Sequence, residues 1–455
     1  MSLRHRLPSL VFISVLCLSA GLSAIARDFH IKPVASGKAD GSSWADAAGP
    51  DKWSSFTEQL QAGDTLSLGS GTYQELTLSL EKSGTQDAPI VMKGVDTGGG
   101  LPILKGSWDK QKPGAGPIFL TLQSEAGHIQ VKDLRVHNYR SVIYGRGRNS
   151  GLVISGLDVR DTRIALLFIG GTSAGKPETG SKKILIKDCN FTGFTKSAAR
   201  FEEGVHEVNL IDCHADAGGK DYATELFHMA FMIKGDRRKE IDPAQRTPDH
   251  DFTFTRCTAR NAYNDAGTGY WNGDGFVAED GVYNITFIDC MAFNNTDGGW
   301  DLKADNVVFR GCVSFRNKRN FRIWGTARME NCVSGYPIKL GGSGGAAVLG
   351  CYTKGVIHVE RSTFITEQGV FSIETKDDST APRIFMKDSL VVAIGHTIPT
   401  EASDYKNVAA TGTQFLNLSE VAAPAVFVGT PSRDWDGAGS MFNARPPHDK
   451  IGYRR

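Results

Sequence analysis

The sequence predicts an all-β protein with the fold of a parallel β-helix, on the basis of three observations. Seven short segments share one pattern: apolar alternation, one polar or glycine residue, a cysteine, and one or two small residues. The last four of these cysteines are 22, 20 and 19 residues apart, which is the period of a solenoid whose coils stack strand upon strand. The 52 glycines also fit a chain of short strands and tight turns. The cysteines are Cys189, Cys213, Cys257, Cys290, Cys312, Cys332 and Cys351.

The same pattern recurs without cysteine near Leu134, Leu157 and Ser389, so the stack is predicted to run through most of the chain. Residues one coil apart in the sequence then become neighbours about 4.8 Å apart in space. We expect the cysteines to form an inward column of free thiols that pack as small hydrophobic side chains. Disulfides between adjacent coils are an open alternative, because the Cα atoms of adjacent coils lie within the range that a disulfide spans. Metal binding by this column is less favoured because no C-x-x-C pair occurs.

The chain is predicted to have four parts. Residues 1–26 have the basic start, apolar run and A-x-A site of a signal peptide. Residues 27–106 are interpreted as an N-terminal capping module, residues 107–396 as the coils, and residues 397–455 as a C-terminal cap and tail. We therefore expect a protein that is secreted or periplasmic.

The charge balance argues against two classes of partner. The net charge is +1, from 51 basic and 50 acidic residues, so neither nucleic acid nor a membrane surface is expected to bind through bulk electrostatics. No second apolar run is long enough to span a bilayer. We expect a monomer without a membrane anchor, and any acidic polymer must be met by local positive charge.

One outward column of side chains carries the predicted chemistry. Four apolar residues precede the last four cysteines by 14, 12, 11 and 13 residues, and this nearly constant offset aligns four coils. Strand side chains alternate in direction, so the residue after each inward residue should face solvent. The inward residues are Phe276, Trp300, Phe321 and Ile338, and the outward column is Val277, Asp301, Arg322 and Lys339.

Three carboxylates belong to the same predicted edge. Asp274 precedes one strand of the column, Asp297 lies at the next turn, and Asp301 lies in the column itself. Carboxylate oxygens clustered in this way are the ligands that calcium prefers. The alternative is that each Asp caps a turn, as Asp commonly does.

Three motifs in these coils resemble those of the pectate lyases of polysaccharide lyase family 9. The motifs are NGDGFVAE at 272–279, NTDGGWDLK at 295–303 and PIKLGGSGG at 337–345. The resemblance implies a right-handed parallel β-helix in which Asp274, Asp297 and Asp301 bind one catalytic Ca²⁺ and Lys339 is the base. The sequence departs from the family at Gly298, where the family has a second consecutive Asp.

These observations predict a polysaccharide lyase that cleaves a uronate-containing polysaccharide by β-elimination. Removing the proton next to a uronate carboxylate requires a base, here Lys339, and positive charge to stabilise the anion that develops. Calcium and the planar guanidinium of Arg322 are the predicted sources of that charge. Two alternatives stay open: a glycoside hydrolase with Asp297 and Asp301 as acid and base, and a non-catalytic carbohydrate-binding or exopolysaccharide-assembly protein, which the missing carboxylate at Gly298 would suit.

Other candidate residues are weaker. His228, in the segment ELFHMAF, is predicted to be packed rather than catalytic. Arg200, in an earlier coil, could extend a basic subsite. The PDHD string at 248–251 lies in a charged insertion and is not assigned to the site.

Overall fold

The computed structural model describes residues 26–170, 180–220, 225, 227–239, 241–242, 244, 246–265, 269, 271–375, 381, 383–419 and 452–453. The predicted signal peptide lies outside the described residues except for Ala26, and so does most of the predicted C-terminal tail. Within the described part, the α-helix Trp53–Gln59 and the 3₁₀ turns Pro50–Lys52 and Ala402–Asp404 accompany the strands. No helix in that part is long and apolar enough to cross a membrane.

The strands form two parallel sheets, which confirms the predicted β-helix. The narrow sheet has 11 strands, and the wide sheet has 25 strands arranged as two ladders. The narrow sheet consists of Leu78–Leu80, Ile118–Leu122, Ser141–Arg146, Ile164–Ile169, Ser197–Glu202, His228–Ile233, Gly273–Ala278, Gly298–Leu302, Arg319–Ile323, Ala347–Thr353 and Gly369–Thr375.

The two ladders of the wide sheet are joined by the long strands Lys182–Thr192 and His206–Asp216, which run through both. The other strands of the first ladder are Asp28–Ile31, Thr65–Leu68, Ile90–Gly94, Ile129–Lys132, Ser150–Ser155, His250–Thr255, Tyr283–Ile288, Asp305–Arg310, Thr326–Glu330, Val356–Glu360, Ile384–Lys387 and Val408–Thr411. Those of the second ladder are Thr72–Gln74, Ile103–Lys105, Arg135–His137, Asp158–Arg160, Thr258–Arg260, Met291–Phe293, Val313–Phe315, Val333–Gly335, Thr363–Thr366, Leu390–Ile394 and Gln414–Leu418.

The stack is longer than the predicted coil region, 107–396. Its first strand, Asp28–Ile31, already pairs in parallel with Thr65–Leu68. Its last strand, Gln414–Leu418, pairs in parallel with Leu390–Ile394. The segment interpreted as an N-terminal capping module therefore contributes the first coils of the solenoid.

A left-handed residue turns the chain from the first ladder to the second in most coils. It lies directly before the inward position of the repeated pattern, and its φ is 54° at Asp188, 52° at Asp289, 64° at Gly311 and 53° at Asn331. Glycine, Asn and Asp adopt this conformation at the lowest cost. This requirement explains why Asp, Gly or Asn precedes five of the six cysteines of the inward column, whereas Arg256, with a φ of 50°, precedes Cys257.

Six of the predicted cysteines form the inward column at this turn, as free thiols. Each is at most 1% exposed, and Cys189 pairs in register with Cys213. The thiols donate to nearby backbone carbonyls, as Cys290 does to Ile288 at 3.4 Å. Burial raises the pKa of the Cys290 and Cys312 thiols well above its usual value, which keeps them neutral. The six are Cys189, Cys213, Cys257, Cys290, Cys312 and Cys332.

The placement of Cys351 in this column was wrong. Cys351 lies in the narrow sheet, between Ile323 and Ile373 of the neighbouring strands. Ser362 takes the next position of the column, because its hydroxyl accepts the backbone N–H of Cys332 at 3.0 Å. The 19-residue spacing between Cys332 and Cys351 is therefore not a coil period.

A second inward column consists of stacked aromatic rings on the inner side of the narrow sheet. Ring centroids are 5.3 Å apart between Phe231 and Phe276, 5.1 Å between Phe276 and Trp300, and 4.7 Å between Trp300 and Phe321. Three of the four predicted inward residues are thus correct. The next position is Leu349, not Ile338, which is only half-buried.

Candidate active site

The outer face of the narrow sheet carries the predicted charged column, with one change. Val277, Asp301 and Arg322 are consecutive partners in register, as the sequence predicts. The residue that follows Arg322 in the column, on the next strand of the sheet, is Gly350. The assignment of Lys339 to this column was therefore wrong. The error has a physical cause: residues 336–346 form no strand and loop out between Val333–Gly335 and Ala347–Thr353.

Arg322 joins two of the predicted carboxylates. Its Nη1 donates to Asp297 Oδ2 at 3.2 Å and to Asp301 Oδ2 at 3.1 Å. The Arg322 side chain keeps 18% of its surface exposed, whereas the two Asp side chains keep 7% and 8%. Burial disfavours the charged form of Arg322, but attraction from Asp301, Asp297 and Asp274 outweighs it and raises the pKa of the guanidinium.

Asp297 lies at the centre of the cluster. Its Oδ1 accepts a hydrogen bond from Arg319 Nη1 at 3.0 Å and lies 3.8 Å from Lys318 Nζ. Both cationic side chains are at most 7% exposed. With Arg322 on its other oxygen, Asp297 is shared by three cations.

Asp274 is fully buried behind the cluster. Its Oδ1 accepts the backbone N–H of Gly298 at 2.5 Å, and its Oδ2 has no hydrogen-bond partner among the described residues. Burial, with repulsion from Asp297 and Asp301, raises the pKa of Asp274 well above its usual value. A carboxyl group held neutral in this way needs no counter-ion.

Asp301 is fixed by two donors. Arg322 contacts its Oδ2, and the indole N–H of Trp324 donates to its Oδ1 at 2.7 Å. Burial raises the pKa of Asp301, with the charge of Arg322 opposing the shift. The carboxylate is thus oriented toward the guanidinium and not toward solvent.

Lys339 is exposed in the 336–346 segment, beside the cluster. It is close enough to Lys318 that its charge helps to lower the pKa of Lys318, although burial of Lys318 is the larger cause. The glycines that follow Lys339 lie against Trp271, since a Cβ added at Gly341 would be 2.3 Å from the indole ring. The segment therefore forms one wall next to the charged cluster.

Aromatic rings form the opposite wall. Trp324 and Tyr352 stack at 4.8 Å between ring centroids. The Arg322 guanidinium lies 4.8 Å from the centroid of Trp324 and 5.2 Å from that of Tyr352. These cation–π contacts hold the guanidinium plane in place.

The arrangement does not fit a resident calcium ion. Calcium takes about six to eight oxygen ligands, but Asp297 and Asp301 are already engaged by Arg319, Arg322 and Trp324. Among the residues that the structure describes, no group of three or more His, Cys, Asp and Glu side chains could hold a metal. In this structure, guanidinium groups contact two of the carboxylates that the sequence assigned to calcium.

Sequence reasoning missed Lys318, Arg319 and Trp324, which complete the cluster. All three lie within NKRNFRIWG at 317–325, around the predicted Arg322. The signal was the run of basic residues at the start of a strand next to a predicted carboxylate coil. Such a run is most often solvated, which is why it attracted no assignment.

The weaker candidates lie away from this cluster. His228 is 1% exposed, and its ring nitrogens lie 3.1 Å from the carbonyl of Tyr263 and 2.9 Å from that of Phe194, so it is packed as predicted. Arg200 pairs with Glu202 on an earlier coil of the same face. Asp249, within the PDHD string, is buried and accepts the backbone N–H groups of Gly204, Val205 and Gly235.

No protein-family profile matches this sequence, and no curated protein matches it significantly. Similar solved structures include the pectate lyase Pel9A, at 14% identity over 93% of this chain and 90% of that chain, with a TM-score of 0.41. They also include XylC in complex with xylose, at 8% identity over 90% and 86%, TM-score 0.48, and a rhamnogalacturonan lyase, at 16% identity over 94% and 95%, TM-score 0.39. Likeness this distant carries no argument about chemistry, which must come from the site.

Proposed function

We propose that this protein is a secreted or periplasmic polysaccharide lyase that cleaves a uronate-containing polysaccharide by β-elimination. The observation that carries the proposal is an arginine fixed on an open sheet face with a lysine beside it. Arg322 is held by Asp297 and Asp301 through one nitrogen, and Lys339 is exposed in the adjacent segment.

Arg322 binds the substrate carboxylate. Its Nη1 donates to the two protein carboxylates, and its Nε has no hydrogen-bond partner among the residues that the structure describes. Because the Asp pair and the aromatic rings fix the guanidinium, it needs little reorganisation when negative charge develops on the substrate. The planar guanidinium also binds a carboxylate with better geometry than an ammonium group would.

Lys339 takes the proton from the carbon next to the uronate carboxylate. The electron pair of that C–H bond forms a carbon–carbon double bond, and the bond to the glycosidic oxygen breaks. The leaving oxygen takes a proton from water, and Lys339 later returns its proton to the solvent, so the products are an unsaturated uronate and a new reducing end. The elimination changes no overall oxidation state, so it needs neither an oxidant nor a reductant.

The test is a screen of purified protein against polygalacturonate, alginate and bacterial acidic exopolysaccharides, with and without chelator. We expect the ultraviolet absorbance of an unsaturated uronate to appear with at least one polymer. Lys339→Ala should abolish it, whereas the control Lys354→Ala should not, because Lys354 is 65% exposed and pairs with Asp305 away from the site. Full activity of Lys339→Ala would overturn the assignment of the base.

One observation keeps hydrolysis as a second candidate. Asp297 and Asp301 lie close together, since both are within hydrogen-bond distance of the same Arg322 nitrogen, and a close pair of carboxyl groups is the catalytic apparatus of glycoside hydrolases. New reducing ends without the absorbance band would favour this reading. Binding without turnover would instead favour a carbohydrate-binding or assembly role.

A further inference from the structure

The charged cluster lies at one end of a longer row of residues. One position before the strands of the narrow sheet, Asp297 and Lys318 are neighbours in register. Followed toward the N-terminus, the same position is occupied by Gly273, His228, Lys196, Arg163 and Arg140. Three consecutive coils thus place a cation at the edge where the candidate site has its central carboxylate.

Further cations surround the three at this basic end. Arg200 lies on the coil of Lys196 and Lys234 on the next coil, that of His228, and both pair with Glu202. Arg163 and Lys196 both pair with Glu225. Among the residues that the structure describes, the basic end, defined as Arg140, Arg163, Lys196, Arg200 and Lys234, has five cationic side chains and two carboxylates that pair with them.

The excess charge is crowded rather than dispersed. Burial lowers the pKa of Lys196, and repulsion from Arg200 and Arg163 lowers it further, against the attraction of Glu225. Within the described part of the chain, the Nε of Arg140 is buried without a hydrogen-bond partner, and its Nη1 donates to the carbonyl of Gly114. Such a cluster is stabilised by any anion that reaches it.

The side chains can be reached from solvent. Arg163 keeps 28% of its side chain exposed, and Lys196 and Arg200 keep 15% each. The two carboxylates beneath them are only 4% and 7% exposed. The face presented to a ligand is therefore positive although ion pairs lie below it.

We propose that the basic end is a distal subsite that binds uronate carboxylates of the same polysaccharide chain. This inference rests on the proposed function. Lys196 lies three coils from Asp297, or about 14 Å at the spacing of adjacent strands, so a chain of a few sugar units running along the sheet would contact both. The ligand class is an acidic polysaccharide with regularly spaced carboxylates.

The experiment measures binding separately from turnover. Affinity electrophoresis in gels that contain polygalacturonate, alginate or uncharged dextran would compare the wild type with Arg140→Gln/Arg163→Gln. We expect the double variant to bind its acidic polymer about tenfold more weakly, as the loss of charge-assisted hydrogen bonds predicts, with dextran unchanged. Arg256→Gln is the matched control, because Arg256 is 54% exposed, paired with Asp212 and located at the turn between the wide-sheet strands His250–Thr255 and Thr258–Arg260.

Arg140→Gln alone guards against misfolding, because Arg163 contacts the buried Glu225 whereas Arg140 contacts only a carbonyl. If no polymer yields lyase products but acidic binding still falls in the variants, the subsite stands and the proposed function fails. If the wild type is a lyase and both variants bind and cleave long acidic chains normally, the subsite is overturned while the proposed function stands. Failure of the wild type to bind any acidic polymer overturns both.

Discussion

The two ends of the charged face place similar groups in the same row but balance them differently. At the site end, Asp297 and Asp301 share Arg322, and Asp297 also receives Arg319 and Lys318. At the basic end, four cations pair with Glu202 and Glu225, and the fifth, Arg140, contacts the carbonyl of Gly114. The site end holds its charges in fixed positions, whereas the basic end leaves charge for a ligand. A catalytic group such as Arg322 must be held in one orientation, whereas the basic end needs only to attract negative charge.

The largest effect should come from removing the shared cation of the site end. Arg322→Met leaves two buried carboxylates short of a counter-ion, which costs about 3–5 kcal/mol of unfolding free energy. It also removes the proposed carboxylate-binding group, so activity should fall by about a hundredfold or more. Denaturant unfolding and the ultraviolet product assay measure the two effects.

Two variants separate charge from geometry at this position. Arg322→Lys should recover stability but little activity, because an ammonium cannot reproduce the planar contacts. Arg328→Met is the control, since Arg328 is 62% exposed and pairs with Glu360 on the wide sheet. An Arg322→Met protein that cleaves at the wild-type rate would refute the role of the guanidinium.

The next effect concerns the support of the basic end. Asp249 accepts backbone N–H groups from Gly204 and Val205, at 2.6 and 2.8 Å, and from Gly235 at 2.9 Å. These residues follow the strands that carry Arg200 and Lys234. Asp249→Ala leaves three donors unsatisfied and should cost about 3 kcal/mol or more. Unchanged thermal unfolding would show that the loop relaxes to satisfy them.

The same carboxyl group predicts a pH dependence. Burial raises the pKa of Asp249 to about 7, with the three N–H groups opposing the shift. A raised pKa in the folded state means that its stabilisation is present below the unfolded pKa of about 4 and is lost as pH rises through 7. The unfolding free energy of the wild type minus that of Asp249→Asn, which does not titrate, should therefore fall between these values. A constant difference would mean that the carboxyl group titrates alike in both states.

The inner columns were predictable because each coil repeats one local rule. A left-handed residue before the inward position requires Gly, Asn or Asp in most coils, and the pattern is visible in the chain at Cys290 and Cys312. The site end obeyed the same register only as far as Arg322. The loop at 336–346 then shifted the register, because it lengthens the chain between two strands and its residues alternate in the sequence as strand residues do.

The ion pairs at the site end could not be predicted from the sequence, for a different reason. Asp274, Asp297 and Asp301 were correctly brought together by register, but whether a metal or an arginine lies among them depends on side-chain direction. Arg319 and Arg322 both turn toward Asp297, and alternation alone does not fix that.

A smaller effect is expected from adding the missing carboxylate to the site end. Gly298 does not have a positive φ, so its backbone conformation is open to other residues. A Cβ at this position would, however, lie 2.8 Å from Asp274 Oδ1. Gly298→Asp should therefore cost about 1–3 kcal/mol through overpacking. It also makes the cluster more acidic, so calcium should raise its melting temperature while leaving the wild type and the uncharged control Gly298→Ala unchanged. Stabilisation of the wild type by calcium would restore the metal-assisted alternative.

The smallest effect is expected in the inward column of cysteines, where neighbouring side chains are alike and form no ion pairs. Ser362 and Ser389 occupy this column toward the C-terminus, and their hydroxyls donate to the carbonyls two residues earlier at 3.0 and 2.9 Å. Cys290 makes the same contact, with Ile288, at 3.4 Å. Cys290→Ser can therefore keep its hydrogen bond and should cost only about 1 kcal/mol, measured by denaturant unfolding without reductant. A loss as large as that of Arg322→Met would mean that the thiols stabilise the stack in a way that serine cannot replace.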